Sequence, residues 1–230
     1  MALNVKDSPT QLSFPLTAEI DNFSDLRVTD VNRAALQVVQ NWPAWNSHAL
    51  HLTGPEKSGL TTLTRLWSAQ AEARLIDAAR FNQYTQKEIE ALATHHCALD
   101  DADQITHETN LLMLYNLTAE RGRSLLLTAH SPAMHAAYRS ADLKSRLASL
   151  TIAEIYPPDE AMLAARLVAA CRRHYLKLNQ ATLDYLIIRL PRVYTEIETY
   201  VLRLDEEIHR TGRSPSVPLA KTVLEMAPNP

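Results

Sequence analysis

The chain has 230 residues, of which 46% are apolar and 21% charged, and its formal net charge is -3. This balance excludes a disordered or fibrous protein and gives no general electrostatic attraction to DNA or anionic lipid. Two cysteines, Cys97 and Cys171, lack the paired spacing of a zinc site, which indicates free thiols in a reducing compartment. The sequence has no apolar run of the roughly 20 residues that a membrane span needs, and its first residues do not predict a secretory leader. We therefore expect a cytoplasmic protein without membrane contact.

The chain begins with a segment that differs from the rest. Residues 1–21 combine prolines and polar side chains with short apolar pieces, which predicts a flexible tail. Next, Thr29 or Asp30 can cap a helix over residues 32–40. Short apolar runs then alternate with helical patterns, which indicates a parallel sheet covered on both faces. The predicted strands are 48–53, 74–78, 96–99, 124–128 and 149–155.

Only helices are predicted after Pro157 and Pro158. Asp159 is a candidate N-cap for a helix that runs to about residue 177, and further helices are predicted over 182–189, from 191 to about 210, and around 220–226. Gly212 is typical of a helix end. The pattern predicts an α/β fold with a parallel five-stranded sheet and a small all-α domain behind it. The predicted divisions are 1–21, 22–156 and 157–230.

Residues 52–63, LTGPEKSGLTTL, have the outline of a phosphate-binding loop. The P-loop pattern is GxxxxGK[ST], and Leu60 stands where the pattern has lysine. The loop backbone would surround a phosphate and Thr61 would approach Mg²⁺, but leucine offers phosphate neither charge nor donor. The candidate nucleotide-binding residues of the loop are Gly54, Pro55, Ser58, Gly59, Leu60, Thr61 and Thr62.

An apolar run ends in Asp100 and Asp101, about forty residues after this loop. In P-loop proteins, the first such acid orders Mg²⁺ and the second polarises the attacking water. Thr61 and Asp100 are therefore the candidate metal ligands, if nucleotide binds. The alternative interpretation is a solvated strand end.

The order of these motifs resembles the AAA+ core of the DnaA/Hda family, the bacterial replication initiator and its shorter regulator, over about residues 22–226. DLKSRL at 142–147 is similar to the arginine-finger box, with Arg146 in the finger position. LLLTAHSPA at 125–133 resembles the sensor-1 strand and its turn. Residues 189–213 resemble the lid helix that carries the second sensor. The resemblance implies a P-loop AAA+ core followed by a helical lid domain.

The chain departs from the family pattern at three positions that sense the γ-phosphate. Leu60 replaces the lysine, His130 stands where an acidic or amide residue is expected, and Thr195 where the second-sensor arginine is expected. Lys57 and Arg192 could substitute, although a solvated surface cation is the simpler interpretation of each. The resemblance with these departures implies weak binding of ADP or ATP with Mg²⁺, if any, and no intrinsic ATPase activity.

The tail contains a hexapeptide that resembles the sequence by which the family's regulator docks on the replicative sliding clamp. Its candidate clamp-binding residues are Gln11, Leu12, Phe14, Pro15 and Leu16. A glutamine amide can occupy a polar niche, apolar side chains can fill pockets, and proline lowers the entropy lost on ordering. The alternative is a tail that folds onto its own domain.

The resemblance implies a clamp-tethered regulator of DnaA. In that role Arg146 would act in trans, promote hydrolysis of initiator-bound ATP and so inhibit replication initiation. Direct sequence-specific DNA binding is not expected, because the initiator's DNA-binding domain has no counterpart here. Two alternatives stay open: a self-sufficient P-loop ATPase, and a non-catalytic clamp-binding adaptor. Nucleotide occupancy, homo-oligomerisation and the identity of the partner are also left open.

Overall fold

The computed structural model describes residues 22–226, so the predicted clamp peptide lies outside the described residues. A five-stranded sheet forms the centre of the first part of the chain, with the strand order β2-β3-β4-β1-β5 and all pairs parallel. This confirms the predicted parallel sheet. The strands are β1 (Ala49–Thr53), β2 (Arg74–Asp77), β3 (Cys97–Asp100), β4 (Leu125–Ala129) and β5 (Thr151–Glu154).

Six helices cover the two faces of this sheet, and three short 3-10 helices occur at Phe23–Asp25, Ala102–Gln104 and Met134–Ala137. The central strand β4 is buried on both sides, because Leu126 joins the core on one face while Leu125 and Leu127 join the core on the other. Alternation of side chains along a strand produces this division. The helices are α1 (Asp30–Gln40), α2 (Leu60–Gln70), α3 (Ala78–Phe81), α4 (Gln86–Leu92), α5 (Glu108–Glu120) and α6 (Ala141–Ala148).

Four further helices follow β5: α7 (Glu160–Arg173), α8 (Gln180–Arg189), α9 (Tyr194–Thr211) and α10 (Val217–Glu225). They bury a cluster of their own, which includes Leu163, Leu167, Leu186, Val201 and Leu204. A helical region therefore follows the sheet, as the sequence predicts. The exact domain divisions at 21/22 and 156/157 stay predictions.

The ends of these helices agree with local sequence signals, with one correction. The Asp159 carboxylate accepts the Met162 N–H at 2.7 Å and caps α7, and Gly212 ends α9 with φ 66°. The predicted extension of α7 to about residue 177 is wrong, because the helix ends at Arg173 and Tyr175 takes a positive φ of 56°. A residue in that left-handed region does not continue a right-handed helix.

Candidate functional site

The loop between β1 and α2 follows the path that its glycines allow. Gly59 has φ 110° and forms the N-cap of α2, a conformation that other residues rarely adopt. A Cβ atom at Gly54 would lie 2.9 Å from the Cβ of Ile155 and 3.0 Å from the Oγ of Ser58. The chain therefore needs glycine at position 54 for close approach to β5 and at position 59 for backbone geometry.

A cleft of about 320 Å³ lies beside this loop and the first turn of α2. It brings together parts of the chain that are distant in sequence: the loop, the residue after β3, the residue after β4, and the helix α7. Its lining residues are Pro55, Glu56, Lys57, Gly59, Leu60, Thr61, Thr62, Asp101, His130 and Arg166. Most of the loop residues predicted from sequence are among them, together with the second acid and the residue at the sensor-1 position.

Leu60 borders the cleft but belongs to the core. It is 5% exposed and lies in the cluster that α1 and α2 form on the sheet, with Leu36 and Leu63. A side chain with this burial stabilises the start of α2 through apolar contact. The position that usually supplies a cation to phosphate is thus used for packing, while the exposed Lys57 is a neighbouring cation on the cleft wall.

His130 connects the loop with the second acid. Its Nε2 lies 3.4 Å from Asp101 Oδ1 and its Nδ1 lies 3.3 Å from the Gly54 carbonyl oxygen. The ring therefore lies between the second acid and the backbone of the loop. Burial raises the pKa of the Asp101 carboxyl, and the charge of Asp100 raises it further, whereas His130 lowers it. The net pKa of the Asp101 carboxyl lies above its usual value, so the histidine only partly offsets burial and the neighbouring charge.

Asp100 is hydrogen-bonded to Thr128 where β3 and β4 end, and it is not among the residues that line the cleft. Its Oδ1 accepts a hydrogen bond from Thr128 Oγ1 at 2.5 Å, and the same hydroxyl oxygen accepts the Asp101 N–H at 3.1 Å. Of the two predicted metal ligands, only Thr61 faces the cleft. Residues 22–226 contain no group of three or more His, Cys, Asp or Glu side chains arranged to hold a metal ion. Thr61 and the Asp101 carboxylate would offer oxygens to a Mg²⁺ ion in this cleft, and the other ligands would come from a bound nucleotide and water.

Arg166, on α7, is a cleft residue that the sequence analysis did not identify. Its guanidinium donates to the Lys57 carbonyl oxygen, and its Cζ lies 5.4 Å from the centre of the Tyr194 ring. Burial lowers the pKa of this guanidinium, which nevertheless stays charged, because arginine does not lose its proton in proteins. In sequence it is one of three arginines of α7, and no local pattern distinguishes it from Arg172 and Arg173.

A second cavity of about 210 Å³ adjoins the cleft and shares Gly59, Thr62 and Arg166 with it. Its wall is formed by the segment before α1, by α1 and α2, and by α7. Its remaining lining residues are Asp25, Leu26, Arg27, Asn32, Leu36, Ser58, Leu63, Ile155, Met162, Ala165 and Ala169. The predominantly apolar wall suits a flat ring system. Of these residues, only Ser58 was predicted from sequence, because the others are not part of a recognisable motif.

The remaining predicted residues lie elsewhere. Arg146, on α6, donates from Nε to Asp142 Oδ1 at 2.9 Å, and its Cζ lies 5.8 Å from the centre of the Tyr115 ring. Arg192 is exposed just before α9, and Thr195 lies in the first turn of that helix. None of these three predicted residues lines the cleft or the adjoining cavity. The candidate finger therefore lies outside the cleft beside the loop and outside the adjoining cavity.

The fold is that of a P-loop AAA+ domain, and the solved structures that resemble the chain include the replication initiator DnaA. Domain III of DnaA from Thermotoga maritima superimposes with a TM-score of 0.71 at 17% identity, covering 92% of this chain and 98% of that chain. AMPPCP-bound DnaA from Aquifex aeolicus gives a TM-score of 0.65 at 19% identity, covering 86% and 68%. The RuvB Holliday junction branch migration motor of Thermotoga maritima gives 0.65 at 12% identity, covering 90% and 72%.

The TM-scores and coverages establish the fold, and they confirm the DnaA-like AAA+ architecture expected from the order of motifs. No family model matches the sequence, and no curated protein matches it. None of the helices within residues 22–226 has the length and apolarity that crossing a bilayer requires.

Proposed function

We propose that this protein is a regulator of the replication initiator DnaA, tethered to the replicative sliding clamp (the DNA polymerase III beta subunit) through residues 11–16. In this role Arg146 completes the nucleotide site of an ATP-bound initiator and promotes hydrolysis there, which lowers the frequency of replication initiation. The hydrolysed ATP belongs to the partner.

The observation that carries the proposal is the location of Arg146. Its side chain is 40% exposed, on a helix that contributes no residue to the chain's own cleft. A guanidinium in such a place can reach a nucleotide held by a second molecule, and its fixed donors can stabilise charge that develops on a transferred phosphoryl group. The ion pair with Asp142 is solvent-exposed, so little free energy opposes its exchange for a phosphate.

The rival proposals use other features of the chain. A self-sufficient ATPase would use Asp101 in this chain's own cleft, but Leu60 is buried there and His130 already contacts the acid. A non-catalytic adaptor would need only the tail peptide and would leave Arg146 as a helix-stabilising residue. The exposed side chain of Arg146, which lies outside the chain's own cleft, supports regulation in trans over both alternatives.

The test combines purified DnaA carrying labelled ATP, clamp loaded on DNA, and this protein. We expect ADP formation on the initiator to increase only when both the clamp and this protein are present. The double variant Gln11→Ala/Leu12→Ala should remove the dependence on the clamp and most of the stimulation. An unchanged rate of ADP formation with the wild-type protein would refute the proposal and leave the adaptor as the better hypothesis.

A further inference from the structure

The cleft beside the P-loop contains a cation that no motif predicts. We propose that Arg166 binds the phosphate chain of a nucleoside polyphosphate in this cleft, in the role that position 60 leaves vacant. This inference concerns the chain's own cleft and is independent of the clamp, of the initiator and of Arg146.

The first support is the charge that Arg166 leaves uncompensated. Its hydrogen-bond partner is the Lys57 carbonyl oxygen, and the Tyr194 ring lies against it. None of the ion pairs formed within residues 22–226 includes Arg166. The acid with the largest influence on it, Glu198, is held by Arg173 at 2.6 Å. A partly buried cation without a counterion is unfavourable, so an anion in the cleft would stabilise it.

The second support is the location of Arg166 at the junction of the two cavities. It lines the cleft beside the loop and also the adjoining apolar cavity. The cleft includes Gly59, Thr61 and Thr62 at the N-terminus of α2, where backbone N–H groups and the helix dipole favour phosphate. The adjoining cavity offers apolar walls to a base. A ligand with an anionic chain joined to an aromatic ring matches this pair of volumes.

The third support is geometric. The guanidinium is already placed against the loop through the Lys57 carbonyl oxygen. Arginine presents several donors in a plane and can bind phosphate through two of them at once, unlike the single charge of lysine. Because Arg166 lies on α7 whereas the loop lies between β1 and α2, a bound phosphate would hold the helical region against the sheet region. Nucleotide would then act as a structural link between these parts.

The test is an equilibrium titration of the full chain with fluorescently labelled ADP, and with adenosine as a competitor that lacks phosphate. We expect micromolar affinity for ADP in the wild-type protein. Arg166→Gln should weaken ADP binding by at least about tenfold, since it removes a charge-assisted contact. The inhibition constant of adenosine should stay unchanged, because adenosine has no phosphate. Arg166→Lys should lose part of the affinity, because it keeps the charge without the planar donors.

The matched control is Arg172→Gln, which removes an exposed arginine from the same helix and should change ADP affinity by less than about twofold. In the Arg166→Gln background, Leu60→Lys restores the P-loop cation and should recover ADP affinity. Circular dichroism and thermal melting test whether each variant is folded. If Arg166→Gln does not fold, Arg166→Lys still tests the proposal. Equal ADP affinities of wild type and folded Arg166 variants would overturn the proposal, as would absence of ADP binding by the wild type.

Discussion

Arg146→Ala separates a structural role of this arginine from a role in trans. The substitution removes the exposed contact with Asp142 at 2.9 Å and the contact with the Tyr115 ring at 5.8 Å. An exposed pair one helical turn apart contributes about 0.3–0.5 kcal/mol, and a cation–π contact whose cation stays in contact with solvent contributes about 0.5–1 kcal/mol. The expected loss in the free energy of unfolding is therefore at most about 1.5 kcal/mol, or roughly 3–6 °C in melting temperature for a chain of this size.

The expected functional loss is much larger. Arginine fingers supplied to a nucleotide hydrolase accelerate turnover by about 10³–10⁵-fold. Arg146→Ala should thus reduce the stimulation of initiator-bound ATP hydrolysis by at least about tenfold. The assay follows labelled ADP on the initiator in the presence of DNA-loaded clamp. Clamp affinity, measured in parallel, should not change.

The matched control is Asp142→Asn, which breaks the same ion pair but keeps the guanidinium. It should reproduce part of the stability loss of Arg146→Ala and retain stimulation, because the finger is still present. If Asp142→Asn and Arg146→Ala lose stimulation equally, the effect comes from the helix and not from the guanidinium. If Arg146→Ala stimulates as well as wild type, the trans mechanism is refuted.

Three further predictions concern the cleft, the tail and the core. The isolated protein should release no phosphate from ATP above background in a steady-state assay; sustained turnover that Asp101→Asn abolishes would support the rival ATPase. Gln11→Ala/Leu12→Ala should weaken clamp binding by about 2 kcal/mol or more in surface plasmon resonance, and an unchanged affinity would remove the tail from the mechanism. Burial lowers the pKa of His51 from 6.5 to about 4, so the unfolded chain takes up this proton first as pH falls. Stability should decrease by about 2 kcal/mol between pH 7 and pH 5, and His51→Leu should lack this slope in urea titrations; an equal slope in the variant would show that other groups cause it.

The sheet could be predicted because its strands are short apolar runs separated by helical patterns. In a parallel sheet both faces are buried, so strands such as β4, in which four of the five residues are apolar, stand out in sequence. The end of α7 was predicted less well. Tyr175 takes a left-handed conformation there, and a tyrosine gives no signal of it in sequence, whereas glycine at position 212 does.

The site could be predicted only where its residues belong to a contiguous motif. The loop from Gly54 to Thr61 and the acid pair at the end of β3 are local patterns, and the cleft is lined by most of the loop and by Asp101. Arg166 and the apolar cavity arise from the position of α7 against the loop, which depends on tertiary packing between elements about a hundred residues apart. A sequence motif consists of residues that are close together in the chain. It therefore cannot identify a side chain that a distant helix contributes to the site.

The cleft residues that depart from the P-loop pattern, Leu60 and His130, are those expected near the terminal phosphates of a nucleotide. Leu60 removes the cation that the β- and γ-phosphates usually contact, and His130 contacts the acid that would orient the attacking water. The start of α2 and Arg166 line the same cleft and can contact the phosphates of a nucleotide there. Binding and hydrolysis depend on different residues, so loss of the second does not require loss of the first. Under the two proposals, such a chain keeps a nucleotide as a structural ligand between its sheet and its helices, while Arg146, which lines neither cavity, acts on a partner's nucleotide.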